Sequence, residues 1–435
     1  MTTTKNNEHK KLNFSSEREQ SQACLNSAEH EKNQGRKVLN VPNLRFPEFQ
    51  GEWEKCKVSD LLDFYSTNSL SWDKLEYGTT NIQNLHYGLI HVGLPTMVDI
   101  DKDNLPNIID GNVPKNYELC KEGDIVFADA SEDTNEVAKA VEYYNLNGKK
   151  VVCGLHTIHG RDNKNKTVVG YKGYAFSSMS FHHQIRRIAQ GTKIYSINSK
   201  NFSECYVGIP SKDEQQKIAD LLRLIDERIA TQNKIIDKLQ SLIKGIVDCT
   251  ILHKEKNAIV GDVCSISEQI RAEANIDDII TVRLHGNGVC KSSAENLQLG
   301  ATQYYRRKAG QLIYGKQNFH NGAIGIVPIS LDNGITSKDI PSFDIDEMKC
   351  NSVYLLAQLQ SPQYYKPAEA LTTGTGSKRL KEETFLKMPI VLPNKREQDD
   401  IAVLIHRASM NLDHAKRLLE LLSIQKQFLL RQMFI

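Results

Sequence analysis

One register constrains this chain more than any other feature: residue i set against residue i+183. In that register Gly191-Thr192 falls on Gly374-Thr375, Phe202 on Phe385 and Ile209-Pro210 on Leu392-Pro393. Lys212, Glu214, Gln215, Ile218, Ala219 and Leu221 fall on Lys395, Glu397, Gln398, Ile401, Ala402 and Leu404, and Leu239 falls on Leu422. The match runs without a gap from Gly191 to Leu239. Such a pattern predicts an internal duplication, two copies of one domain-plus-helix unit. At about 150 residues per domain, the 435 residues leave room for both cores.

Each copy ends in a long helix. Ser211 is an N-cap with Glu214 three residues on, and Asn394 with Glu397 repeats the device, a capping box in each case. Apolar residues then recur at 4,3 spacing: Ile218, Leu222, Ile225, Ile229, Ile236, Leu239, Ile243 and Ile246, with Gln232 the one polar member. The second copy has Ile401, Ile405, Ala408, Leu412, Leu419, Leu422, Leu429 and Met433. A heptad seam of this length predicts a coiled coil. A helix over 211–252 would be about 63 Å long, more than most compact domains hold. Leu221, Ile235 and Leu242 widen the first stripe, and Leu404 and Leu418 the second. That width suits a further partner, or a cover supplied by the preceding domain of the same chain.

Ahead of each helix lies a mixed region with short β-rich runs, 52–210 and 258–393. GDIVFADA (123–130) resembles GQLIYGKQ (310–317), and further strands are expected in KKVVCGLHTI, TVVGYKGYAF, GAIGIVPI and DIITVRL. The expected fold class is mixed α+β: two duplicated α/β domains joined by two long antiparallel coiled-coil helices. The expected boundaries are a polar leader over 1–40, a first domain over 41–210, a spacer helix over 211–254, a second domain over 255–393 and a second helix over 394–435. The leader has too few apolar residues to offset its ordering entropy and is expected to be disordered.

Catalytic motifs are missing. There is no P-loop, GxGxxG, HExxH or GxSxG pattern, nor a methyltransferase or nuclease motif. Ser131-Glu132-Asp133 reads as a solvated turn. Nine cysteines occur with no CxxC pair and no Cys/His cluster at zinc spacing, so no metal is expected and a reducing cytoplasm is. His156 and His159 share a strand face or straddle a turn; His182 and His183 are expected on opposite faces of a strand. No apolar run reaches the ~18 residues of a membrane span. The net charge of +2 is not that of a strongly basic nucleic-acid binder. A DNA-binding reading therefore rests on local clusters.

Such clusters occur in both mixed regions. The first has Arg161, Lys164 and Lys166, then His182, Gln184, Arg186, Arg187 and Lys193. The second has Arg283, Arg306, Arg307, Lys316, Gln317, Asn318, Lys378 and Arg379. Arg, Lys, Gln and Asn are the side chains that read guanine and adenine edges, and Gly-rich turns with Lys suit phosphates.

LRFPEFQGEWE, IPSKDEQQKIADLLRLIDERI, LPNKREQDDIAVLI, GDIVFADASEDTNEVAKAV and GQLIYGKQNFHNGAIGIV together resemble the specificity (S) subunits of type I restriction-modification enzymes. The resemblance covers about residues 41–435. It implies two target-recognition domains on an antiparallel helix pair, each domain reading half of a split site in double-stranded DNA. It implies partners: two methyltransferase subunits docked on the helices, and restriction (motor-nuclease) subunits. It implies a non-catalytic chain without a cofactor of its own, S-adenosylmethionine, ATP and Mg being held by the partners. An adaptor coiled-coil protein without DNA-specific binding is the alternative; a self-sufficient nuclease or methyltransferase is disfavoured by the missing motifs.

Overall fold

The computed structural model describes residues 39–292, 302–374 and 378–435. Except for Leu39 and Asn40, the leader expected over 1–40 lies outside them, as do Thr375 and its two successors in the second Gly-rich run. Internal contacts divide the chain into one unit of residues 1–226 with 424–435 and a second of residues 227–423. Each unit thus holds a part of both long helices, so this division cuts across the expected boundaries.

The first unit opens with β1 (Glu54–Lys57) and β2 (Asp63–Tyr65), followed by β3 (Met97–Asp99), β4 (Ile125–Ala128), β5 (Ala140–Asn145), β6 (Val151–Cys153) and β7 (Thr157–Arg161). Helices α1 (Tyr171–Phe176), α2 (Met179–Ile188) and α3 (Ser199–Ser203) precede β8 (Tyr206–Ile209) and the long α4 (Lys212–Val247). The main sheet has the order β2-β7-β4-β5-β3. Strand β4 is central and buried throughout, so its run Ile-Val-Phe-Ala is continuously apolar. Phe127 packs edge-on against Phe176 and Phe202.

The second unit has β9 (Ala258–Ile259), β10 (Cys264–Ile266), β11 (Tyr304–Arg306), β12 (Leu312–Tyr314), β13 (Ile324–Ile326), β14 (Ile335–Ser337) and β15 (Ser342–Ile345). Then come α5 (Ser352–Leu359), α6 (Glu382–Leu386), β16 (Pro389–Ile390) and the long α7 (Lys395–Gln432). Its main sheet is β10-β15-β12-β13. Phe385, 183 residues after Phe202, packs its ring against Tyr314 at a tilt, where Phe202 meets Phe127 edge-on.

The hydrogen bonds recur in the same register. Tyr171 Oη donates to Gly208 O, and Tyr354 Oη to Val391 O. Gln215 Nε2 donates to Lys166 O and Pro210 O while its Oε1 accepts from Val168 N. Gln398 makes the three corresponding bonds, to Lys349 O, Pro393 O and Asn351 N. Around β4 and β12 the offset is 187, where Lys121 N donates to Asp124 and Lys308 N to Gln311. Four residues fewer in the loops that follow restore the offset of 183.

Both long helices carry the expected seam inward. Ile218, Leu222, Ile225, Gln232 and Ile236 are buried, with Ile229, Leu239, Ile243 and Ile246 half-buried. Ile401, Ile405, Ala408, Leu422, Leu429 and Met433 are buried, with Leu412 and Leu419 half-buried. Within the second unit Gln232 Nε2 donates to Ala415 O, and Lys254 pairs with Glu397, so the two helix segments run antiparallel there. Ile235, Leu242, Leu404 and Leu418 remain exposed beside the seam.

Three local expectations are corrected. TVVGYKGYAF is no strand: Gly170 at φ 94° starts α1, whose six residues are all buried. The helix is covered on every side, with Lys172 paired to Glu142 inside, so no wet face writes a helical period into its sequence. His182 and His183 lie on helix α2. Ser211 and Asn394 do cap their helices, accepting from Glu214 N and Glu397 N. The carboxylates of Glu214 and Glu397, however, turn to Arg45 and Lys254 rather than back to the caps.

Candidate nucleic-acid interface

Two of the sixteen residues expected to face DNA, Arg161 and Arg307, are buried, and a third, Gln184, is half-buried. Arg161 grips Asp124 with Nε and Nη2, both at 2.8 Å, and Glu118 with Nη1 at 2.6 Å. Its hydrogen bonds to Asp124, against the opposing effect of burial, raise the guanidinium above its usual range. Arg307 is fully buried. It donates to Thr336 Oγ1 (2.7 Å), Ser342 Oγ (2.9 Å), Gln269 Oε1 (3.2 Å) and Ile340 O (2.9 Å). Burial pushes it down to about 10, so it stays charged at neutral pH. Gln184 is spent on both backbone groups of Tyr206. These three stabilise the domains and have no free group for a duplex.

Strand register sorts the remainder of the first unit. In the β4–β7 pair Ile125 lies opposite Gly160, and Ala128 opposite Thr157. Residues after Gly160 therefore sit at one end of the pair, and residues flanking Thr157 at the other, about 10 Å away at 3.3 Å per residue. At the first end Lys164 donates to Asp60 O and Lys166 to Glu54. Gln215 reaches the same segment from the first turn of α4. At the other end His156 meets Asp129.

The second end is built alike in both units. Gln190 bridges Ser196, and Thr373 bridges Arg379, closing a loop in each case. The residue after each closure donates its N–H to the strand end: Ile197 to Asp129 O and Leu380 to Lys316 O. Each loop turns on a glycine with positive φ, Gly191 at 142° and Gly374 at 130°. A Cβ on Gly191 would stand 1.9 Å from Ile194 O, which accounts for glycine at that position. In the first unit this end gathers exposed Arg186, Arg187 and Lys193 with half-buried His182. Arg187 and Lys193 have no ion-pair partner among the described residues. Burial, then the Arg186 charge, lowers His182 and keeps it neutral.

In the second unit the same end brings together Lys316, Gln317, Asn318, Lys378 and Arg379. Gln317 and Asn318 are exposed. Lys316 pairs with Glu382 at 2.7 Å, Lys378 with Glu369 at 3.4 Å and Arg379 with Asp339 at 3.3 Å. The last two pairs are exposed and contribute about 0–1 kcal/mol each, so a phosphate can displace them.

Arg283 and Arg306 fall elsewhere. Arg283 Nε donates to Cys290 Sγ. Arg306 lines a cleft of about 710 Å³ with Arg271, Lys291, Asp277, Asp278 and Asp332. Arg271 and Lys291 escape a sequence reading because three separate strands carry this cationic trio. Only the pairing of Arg271 with Tyr305 and of Lys291 with Ile280 brings them together.

No helix among the described residues is long and apolar enough to cross a membrane. The family model described as "Type I restriction modification DNA specificity domain" matches residues 51–241. These residues, under half of the chain, carry the type I restriction-modification DNA specificity domain. It is 25% identical over 216 residues to a Methanocaldococcus jannaschii protein named as the MjaX type I restriction enzyme specificity subunit, 48% of each chain. It is 22% identical over 260 residues to the MjaVIII specificity subunit of the same organism, 53% of this chain and 61% of that protein. The matched part thus spans about half the length of these curated relatives. The fold is shared with the crystal structure of the S subunit of a type I system from M. genitalium. There the TM-score is 0.59 at 14% identity, over 91% of this chain and 99% of the other.

Proposed function

We propose that this chain is the DNA sequence-recognition subunit of a type I restriction-modification complex. The observation that carries the reading is the repeated loop-on-strand closure, which sets exposed cations at the same place in both units. Two such surfaces suit a target in two parts, with Arg186, Arg187 and Lys193 on one half and Gln317, Asn318, Lys378 and Arg379 on the other. Lys and Arg engage phosphates, and the polar side chains discriminate bases at about 1–3 kcal/mol per good contact. The two seamed helices act as a coiled-coil spacer between duplicated domains. Their exposed apolar side chains, Leu242 and Leu418 among them, form the docking surface for two methyltransferase subunits, which a restriction subunit joins. The chain works in the cytoplasm, is itself non-catalytic, and leaves S-adenosylmethionine, ATP and Mg to those partners.

The test is duplex binding over a salt series, with methyltransferase subunits supplied. Each phosphate contact removed should lower the slope of log K against log salt by about 0.9. Lys378→Ala/Arg379→Ala should flatten it by up to about 1.8, and Lys193→Ala by about half as much. Lys164→Ala, at the far end of its strand pair, should leave it unchanged. An unchanged slope in the double variant would remove this surface from the proposal. A chain that never binds duplex DNA would favour the adaptor reading.

A further inference from the structure

Cys120, Cys153 and His159 lie 33 and 6 residues apart, with none of the spacings that announce a metal site. Folding brings their ligand atoms within 4.8 Å of one another. Cys120 follows the strand-like pairing of Leu119 with Val152, Cys153 ends β6 beside it, and His159 stands in the middle of β7. The two sulfurs are 3.4 Å apart, far beyond a disulfide. Ligands about 2.0–2.3 Å from a tetrahedral ion lie about 3.6–3.8 Å from one another, so the sulfurs are already close to that spacing and the imidazole is within about 1 Å of it. All three side chains are buried, His159 fully.

The imidazole is already oriented. Its Nε2 lies 2.7 Å from Asp124 Oδ2. That carboxylate already takes two donors from Arg161 at 2.8 Å, so it is the acceptor here too. Nε2 therefore carries the proton, and Nδ1 presents a lone pair. That Nδ1 is buried with no hydrogen-bond partner. A carboxylate fixing one imidazole nitrogen while the other is left bare is the outer arrangement of histidine–metal sites. The Tyr143 hydroxyl is buried beside the same thiols.

The second unit supplies an independent observation. In the registers established above, Cys120 corresponds to Arg307, Cys153 to Thr336 and His159 to Ser342. Those three are bonded to one another: the Arg307 guanidinium donates to Thr336 Oγ1 and Ser342 Oγ. No carboxylate is among its hydrogen-bond partners. The corresponding interior position of the second unit thus holds a covalently attached cation. The first unit has two thiols and an imidazole there instead.

We propose that Cys120, Cys153 and His159 bind one zinc(II) ion in the interior of the first unit. Two thiol protons leave as the ion enters, and two thiolates with one neutral imidazole cancel its charge. Asp124 needs no share in this balance, because Arg161 already neutralises it. Thiolate with imidazole selects zinc over hard cations such as magnesium. With every ligand buried, the ion is taken up during folding and stabilises the domain.

The full chain, purified without chelator, should contain about one zinc per molecule by elemental analysis. Cobalt(II) supplied to chain refolded without zinc should give a thiolate-to-metal charge-transfer band. Cys153→Ala should weaken zinc binding by about 100-fold or more and abolish the band. Cys205→Ala and Cys264→Ala should change neither. Should Cys153→Ala fail to fold, Cys120→Arg/Cys153→Thr/His159→Ser, which copies the second unit, serves as the metal-free variant. A mercurial titration of the unmodified chain should also release zinc as two thiols react. The proposal is overturned by a wild-type chain with no zinc and no cobalt band, by zinc retained in the triple variant, or by a Cys120–Cys153 disulfide found by peptide mapping of the unreduced chain.

Discussion

Arg161 shows how a side chain with every surface credential becomes interior. Its fork meets the carboxylate of Asp124, 37 residues earlier, in a bidentate pair at 2.8 Å. Removing it leaves that carboxylate buried beside a single histidine. Arg161→Met is therefore expected to cost about 3–5 kcal/mol at pH 7, measured by urea unfolding. A loss below about 1 kcal/mol would mean the pair is not held as described. The pH dependence follows from Asp124, whose folded pKa is depressed below the unfolded ~3.9. Its stabilisation is present above the unfolded value and is lost as pH falls through the folded one. In Arg161→Met the deficit should shrink on acidification, because protonating Asp124 removes the uncompensated charge. Nothing local separates Arg161 from Lys164, three residues on and exposed. The basic clusters were legible in the sequence, but which members point inward depends on partners 29 to 43 residues away. The same distance hid Cys120, Cys153 and His159 from a search by spacing.

At the level of elements, legibility followed how a segment is covered. The long helices were readable because one face is buried and the other wet, which writes a 3.6-residue period into the chain. Helix α1 was not, because it has no wet face. The repeat itself was visible where its role is geometric, as at Gln215 and Gln398. Each ties three backbone groups at the first turn of its helix to the preceding domain. Gln215→Ala and Gln398→Ala should each leave those groups unsatisfied and cost at least about 1–3 kcal/mol. The two losses should be similar, as read by chemical denaturation of each variant. A large cost at one site only would show that the two junctions differ despite their shared bonds. Gln232 makes the opposite case. It is the one polar side chain in its seam, and its amide donates to Ala415 O at 3.1 Å. A buried polar residue at a seam position sets register at some cost in stability. Gln232→Leu should leave the helix pair as stable or more so to urea. Disulfide trapping between cysteines placed at exposed helix positions should then report more than one alignment. A single alignment in the variant would show that apolar packing alone sets the register.

For the whole molecule, what matters is that each unit closes its basic loop on its own sheet. In both units the loop closes on its own central strand through bonds internal to the unit: Ile197 to Asp129 and Leu380 to Lys316. The loop residues differ, Lys193 and Ile194 in one and Lys378 and Arg379 in the other, while the framework bonds are conserved between the two. Base choice should therefore be exchangeable one unit at a time. Replacing residues 258–393 with the matching segment of a relative, expressed with methyltransferase subunits, should change one half of the methylated motif and leave the other as it was. Sequencing the methylated bases reads both halves at once. The junctions fall beside Asn257, whose amide bonds Leu392 O and N, and before Asn394, which caps the second helix. A graft that keeps Asn257 and Asn394, and whose backbone at position 392 still meets the Asn257 amide, keeps the helix start, so a loss of methylation would reflect recognition rather than a broken junction. Change in both halves would mean that the units do not read independently. Change in neither would place recognition outside the exchanged segment, in conflict with the cations gathered around Lys316.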